Sequence, residues 1–169
     1  MVSGIQRRYD TNNLSGVKRS DSKRSLNSHT TLAKPVNFQW EEVRELGRGS
    51  FGSVVLGKKV KTGQLMAVKK LMINDKQASA DAMTEITLLS NMKQNPFIVN
   101  LIGYQEKNDM MYIFMEYVEG GSIESQLQKY RKDGQVMEKL VSKYTYQILK
   151  GLNFLHENRV IHGDVKCRV

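Results

Sequence analysis

A cluster of three glycines between two stretches of alternating apolar residues is the feature that most restricts the fold of this chain. The cluster is Gly47-Arg48-Gly49-Ser50-Phe51-Gly52, which fits the pattern GxGxxG. A dinucleotide-binding fold requires a helix directly after such glycines. Here Val54, Leu56 and Val60 instead share one face of a period-two pattern, which predicts a strand. No Gly-Lys-Ser/Thr follows the cluster, so a P-loop is excluded as well.

The residues on both sides of the glycines extend this pattern into an antiparallel meander. Alternating apolar residues over 38–46 predict a strand before the cluster. Lys61-Thr62-Gly63 predicts a tight turn, and residues 65–72 predict the strand that follows it. On that strand Ala67 and Lys69 share a face, because side chains two residues apart point the same way.

Helices and strands alternate along the rest of the chain. The patterns predict a helix over 76–92, strands over 98–104 and 110–116, a glycine connector over 119–121, and helices over 123–130 and 137–157. Asn74 and Asp75 are candidate caps of the first helix. The last helix carries eight large apolar residues on its stripe: Met137, Leu140, Val141, Tyr144, Ile148, Leu149, Leu152 and Leu155. If exposed, this stripe predicts aggregation or a protein partner.

The first 36 residues differ in composition from the remainder. They hold seven Lys/Arg against Asp10 and Asp21, a net charge of +5 out of +9 for the 169-residue chain. They are rich in Ser, Thr and Asn and have almost no apolar periodicity, which predicts a disordered basic tail over 1–36.

Three interpretations of this tail stay open. It can dock on an acidic partner, an anionic membrane or nucleic acid. It can be regulatory, since Ser20 and Ser25 each follow two basic residues. It can also be an inert leader. Tyr9 is the only aromatic residue in the segment, which argues against nucleic acid as a partner because few side chains can stack on bases.

Composition excludes several classes of protein. The only cysteine is Cys167, so an internal disulfide framework is excluded. The longest apolar run, over 110–115, is six residues, whereas a membrane-spanning helix needs about 20. The N-terminus lacks the apolar core of a signal peptide. We therefore expect a soluble, intracellular and cytoplasmic protein.

Two pairs of charged residues have spacings that suit phosphate chemistry. Glu85 lies sixteen residues after Lys69, beside the apolar stripe of the first helix, where it can turn towards the sheet and fix the ammonium group. The alternative is an exposed lysine and an exposed helical glutamate. Asp164 and Lys166 follow an apolar pair after the last helix and suit a base beside a phosphate-neutralising cation.

The order and spacing of these motifs over residues 38–166 resemble a eukaryotic serine/threonine protein kinase. The segments GRGSFGSV, EYVEGGSI and KYTYQILKGLNFLHENRVIHGDVK are most similar to MAP kinase kinase kinases. The resemblance implies an α+β fold: an N-lobe with a five-stranded antiparallel sheet and one helix, then a truncated, mostly helical start of a C-lobe. The implied boundaries are 1–36 for the tail, 37–116 for the N-lobe, 117–121 for the hinge and 122–169 for the incomplete C-lobe.

The same resemblance assigns roles in binding ATP. Gly47, Gly49 and Gly52 would cover its phosphates, and Val54 and Ala67 would pack over adenine. Lys69 would hold the α/β-phosphates with Glu85 as its brace. Met115 would be the gatekeeper, with the backbone of Glu116 and Val118 on the adenine edge and Ser122 near the ribose. Asp164 would take the proton of the substrate hydroxyl, and Lys166 would balance charge on the γ-phosphoryl group.

The sequence departs from the family pattern near its end. Gly163 stands where many kinases carry arginine, and Val169 stands at the position of the metal-binding asparagine. No Asp-Phe-Gly follows, so no metal ligand is assigned, although the family uses magnesium. We expect this stretch alone to transfer no phosphate to the downstream kinase that the family would use as substrate. The alternative is a truncated, non-catalytic protein that acts through interactions of its last helix or its tail.

Overall fold

The structure is a computed structural model that describes residues 34–49, 52–92, 95–129 and 138–167. It contains five strands and three helices in these ranges: β1 (Trp40–Gly49), β2 (Gly52–Lys59), β3 (Leu65–Met72), α1 (Lys76–Asn91), β4 (Leu101–Lys107), β5 (Met110–Glu116), α2 (Ile123–Lys129) and α3 (Glu138–Glu157). Nearly all of the expected tail over 1–36 lies outside the described residues, as do Ser50, Phe51, Tyr130, Met137 and Val169.

The five strands form one antiparallel sheet in the order β1-β2-β3-β5-β4. The meander β1-β2-β3 is continuous along the chain, and α1 separates it from the hairpin β4-β5. Asn108 and Asp109 form the turn of that hairpin with φ values of 53° and 56°, as a two-residue turn of right-handed twist requires. The expected five-stranded antiparallel sheet with accompanying helices is therefore confirmed.

Helix α1 covers the inner face of the sheet. Asp75 caps its first turn by accepting a hydrogen bond from the Ala78 amide at 2.8 Å. The stripe predicted from the sequence, Ala82, Ile86 and Leu89, is buried against apolar side chains of β3 and β5. This core fixes the position of α1 against β3. A polar side chain of α1 that lies next to the apolar stripe is therefore also close to β3.

The outer face of the sheet is covered by residues 34–39, which we call the strap. The strap joins the free edge of β4, where the Val36 amide donates to the Tyr104 carbonyl at 2.8 Å. It then crosses the sheet to reach the start of β1 at the opposite edge. Gly103 permits this crossing, since a Cβ atom there would clash with a side-chain carbon of Val36.

A second hydrophobic core lies under the strap. Val55, Met66, Val68 and Phe114 are its fully buried members. Phe38 and Trp40 pack on the Phe114 ring, with ring centroids 5.0 and 5.6 Å away. The sheet thus has an apolar core on each face.

The ends of two strands differ from the sequence-based expectations. The strand predicted over 98–104 begins only at Leu101, because Asn95 forms a turn in which its side chain accepts from Phe97 and its carbonyl accepts from Ile98. That strand also extends to Lys107. Val60 was expected on the second strand but lies in the turn after Lys59, where it is exposed.

Helix α3 is attached to the rest of the molecule mainly by its C-terminal half. Leu155 and Val160 pack with Leu88 and Met92 of the α1 region in a third core. Of the apolar residues expected on one stripe, Val141 and Leu149 are 42% and 59% exposed. A protein partner for this helix stays a prediction. Within the described residues, no helix has both the length and the hydropathy needed to cross a bilayer.

Candidate functional site

The glycine cluster forms the turn between β1 and β2. Gly49 pairs with Gly52, and Gly47 pairs with Val54, so the three glycines lie together where the first two strands meet. Gly52 has φ of +138°, and a Cβ atom there would clash with the Lys70 carbonyl oxygen of β3. Glycine at this position therefore allows the start of β2 to lie directly against the backbone of β3.

The side chains expected around the nucleotide ring share the inner face of the sheet. Val54 lies opposite Lys69, and Ala67 lies opposite Met115 on the next strand. Directly opposed residues of antiparallel strands point to the same side, and so do residues two apart on one strand. The register therefore brings all four of these side chains to the face that α1 covers.

Lys69 and Glu85 form a partly buried ion pair between β3 and α1. The Lys69 Nζ atom lies 2.7 Å from both carboxylate oxygens of Glu85. The two side chains are only 9% and 16% exposed. A cation held this way has a fixed position opposite Val54, near the start of β2, unlike a mobile surface lysine. The alternative of an exposed lysine and an exposed glutamate is therefore wrong.

The chain from the last residue of β5 to the start of α2 leads away from the sheet, and we call these residues, 116–122, the linker. Its first residue, Glu116, is joined to Asn100, the residue directly before β4, by three hydrogen bonds. Its second residue, Tyr117, accepts from an Arg44 guanidinium nitrogen of β1 at 3.2 Å. Sequence reasoning missed Asn100 and Arg44, since no motif or spacing distinguishes them from other polar residues.

The segment 162–167 follows α3 and carries the second pair of charged residues. Lys166 donates to an Asp164 carboxylate oxygen at 2.7 Å, with both side chains about 40% exposed. The Asp164 amide lies 3.3 Å from Nδ1 of His162, which accepts from it. Burial lowers the pKa of His162, so the imidazole is neutral at pH 7 and can accept this bond.

A cavity of about 330 Å³ lies between the linker, α3 and the segment 162–167. Apolar side chains supply most of its wall, including Val99, Ile148 and Leu152. Several candidate residues also line it: Glu116, Val118, Ser122 and Lys166. The structure thus gathers the candidates into three places: the glycine turn, the inner face with its ion pair, and the cavity beside the linker.

The described residues contain no ready-made cluster of metal ligands. Magnesium prefers carboxylate oxygens with further oxygen ligands. In the described part of the chain, no three His, Cys, Asp or Glu side chains come together so as to hold a metal ion. Val169, at the position of the family's asparagine, lies outside that part. No residue is therefore assigned to magnesium.

The sequence matches the family described as protein kinase domain over residues 40–168. It is 38% identical over 148 residues to mitogen-activated protein kinase kinase kinase A of Dictyostelium discoideum, covering 83% of this chain and 15% of that protein. It is 39% identical over 139 residues to mitogen-activated protein kinase kinase kinase 5 of Arabidopsis thaliana, covering 78% and 19%. It is 40% identical over 124 residues to cell division control protein 7 of Schizosaccharomyces pombe, covering 72% and 11%. The chain spans about a fifth or less of the length of these relatives.

Proposed function

The chain belongs to the protein kinase domain family, and from this premise we propose that it is the ATP-binding part of a serine/threonine kinase that acts on a downstream kinase. Its similarity to mitogen-activated protein kinase kinase kinases confirms the resemblance drawn from the sequence. The observation that carries the proposal is the partly buried Lys69–Glu85 ion pair near the start of β2. Removing the Lys69 ammonium from water costs free energy. Neutralising the charge of bound phosphate groups is a role that accounts for a cation in this position.

Each part of the proposed site has a distinct task. The glycine turn offers backbone N–H groups to phosphate oxygens without a Cβ in the way. The Lys69 ammonium, fixed by Glu85, neutralises negative charge on the phosphates. Val54 and Ala67 present an apolar surface for the purine ring, and the linker backbone supplies hydrogen bonds to its edge. We assign Ser122, at the end of the linker, to the ribose.

Replacing Lys69 with methionine tests the proposal. The variant keeps the length and apolar stem of the side chain but removes its charge, so we expect ATP affinity to fall by about tenfold or more. The neighbouring Lys70 supplies a matched control, because it pairs with Glu42 on the outer part of the sheet at 2.8 Å. Binding is measured by isothermal titration of purified protein. Equal losses in K69M and K70M would contradict a specific role for Lys69.

We further propose that these 169 residues by themselves transfer no phosphate. Phosphoryl transfer in this family depends on metal ions that neutralise the β- and γ-phosphates. The described residues assemble no metal-ligand group, although Asp164 and Lys166 form an ion pair in the segment where transfer would occur. The purified polypeptide is assayed with radiolabelled ATP and a protein substrate, beside an intact kinase as positive control. Turnover that Asp164→Asn abolishes would overturn this proposal.

The remaining assignments concern the protein's surroundings. We propose a kinase as the protein substrate, because the named relatives are mitogen-activated protein kinase kinase kinases. We also propose the cytoplasmic location expected from the sequence. The exposed Val141 and Leu149 of α3 support an additional protein contact on that helix.

A further inference from the structure

We propose that Asn100 is a positioning residue for the purine ring, acting through Glu116 at the start of the linker. Asn100 fixes Glu116 so that the Glu116 carbonyl is the group left to meet an adenine amino group. The inference rests on the proposed function, since it concerns how the same site orients its nucleotide. It adds to the site Asn100, the residue directly before β4.

Three hydrogen bonds join the two residues. The Asn100 amide donates to Glu116 Oε1 and the Asn100 Nδ2 atom donates to Oε2, both at 3.1 Å. In return the Glu116 amide donates to the Asn100 carbonyl at 3.0 Å. Asn100 therefore engages the backbone N–H of Glu116 and both oxygens of its carboxylate. Bonds to a charged acceptor are stronger than bonds between neutral groups, which makes this a firm attachment for a strand end.

The attachment decides which groups of Glu116 can bind a ligand. Its N–H is already donated and its carboxylate is held by Asn100, so neither can compete for the nucleotide. Without Asn100, the carboxylate would be able to turn into the cavity that it lines together with Tyr144, His162 and Lys166. It could then pair with Lys166 or accept from the adenine amino group in a different geometry. A linker that offers one group in one orientation binds a flat ring with less loss of entropy.

The test is Asn100→Asp, which keeps the shape of the side chain but sets a carboxylate against that of Glu116. Like charges at this distance repel, and the pair titrates with one pKa raised. Adenosine is the probe, because it lacks phosphates that ionise between pH 5 and 8. We expect N100D to bind adenosine about tenfold more weakly than the wild type at pH 8. Its affinity recovers towards the wild type at pH 5, where the two carboxyl groups share a proton.

Asn153→Asp is the matched control. Asn153 also donates to a glutamate, Glu157 Oε1 at 2.8 Å, but does so on the exposed side of α3. We expect this variant to bind adenosine as the wild type does at both pH values. The wild type is titrated over the same range, because His162 and Lys166 lie on the same cavity as Glu116. Pyrophosphate, which tests the glycine turn and Lys69 alone, serves as a second probe.

The outcomes separate this inference from the proposed function. Weakened adenosine binding with unchanged pyrophosphate binding in N100D supports the positioning role. Equal adenosine affinity in N100D and wild type at pH 8 overturns the role and leaves the ATP site standing. A parallel loss of both probes in N100D also overturns it, since the substitution then acts on the whole fold. If the wild type binds neither probe, the proposed function fails and the positioning role with it.

Discussion

Replacing Glu85 with alanine is expected to lower the free energy of unfolding by about 3 kcal/mol. The substitution leaves the Lys69 ammonium without its partner in a position where its side chain is 9% exposed. An uncompensated charge in such surroundings costs far more than the loss of a surface pair. This loss of stability lies at the lower end of the range for buried pairs, because the Glu85 side chain is 16% exposed to solvent. Urea denaturation followed by tryptophan fluorescence measures the change.

Two further variants make this prediction specific. The double variant K69M/E85L removes both charges and fills the space with apolar groups, so its stability returns to within about 1 kcal/mol of the wild type or exceeds it. Glu42→Ala breaks an exposed pair with Lys70 and costs less than about 1 kcal/mol. If E85A and E42A lose the same amount, the buried pair has no special energetic weight.

Replacing Phe114 with alanine is expected to cost about 3–5 kcal/mol of stability. Phe114 is fully buried in β5, where its ring meets those of Phe38 and Trp40 from the strap and from β1. Removing the ring leaves a cavity that the rigid sheet cannot close. The strap then loses its main anchor, so protection of the Val36 amide from hydrogen exchange falls more than that of amides in α1.

Phe97→Ala is the matched control for this substitution. Phe97 lies in the turn after α1 and is 39% exposed, so the same change of side chain removes much less buried surface. Thermal unfolding of both variants gives the comparison. A loss of stability in F114A no larger than that in F97A would show that the hydrophobic core under the strap does not stabilise the sheet. Unchanged exchange at Val36 in F114A would show that the strap is held by other contacts.

The features that follow from short-range patterns could be predicted from the sequence. Period-two alternation correctly predicted that Ala67 and Lys69 share one face of β3, which is the face that α1 covers. The stripe of Ala82, Ile86 and Leu89 correctly gave the buried side of α1. Because each pattern depends on residues a few positions apart, local geometry alone determines the result.

Contacts between distant segments could not be predicted in the same way. The bond between Val36 and Tyr104 joins residues 68 positions apart, and nothing in the tail-like composition of 1–36 indicates that its end pairs with a strand. Asn100 likewise acquires its role only because β4 and β5 lie side by side. The broad stripe of α3 was taken as one face, but at about 100° per residue Leu149 lies about 120° from Leu155 and turns away from it. Val141 lies on the same side as Leu155 but in the N-terminal half of α3, and it is exposed.

The two cores on either side of β3 have a consequence for how such a protein can change over generations. Met66 and Val68 face the strap, while Ala67, Lys69 and Leu71 face α1. Substitutions on opposite faces of one strand share few neighbours, so their effects should largely add. Substitutions on the face of β3 under the strap can therefore change thermal stability. The residues on the face under α1 can meanwhile be kept by selection for the proposed phosphate binding. The two faces of this eight-residue strand thus allow stability and the proposed nucleotide binding to change independently of each other.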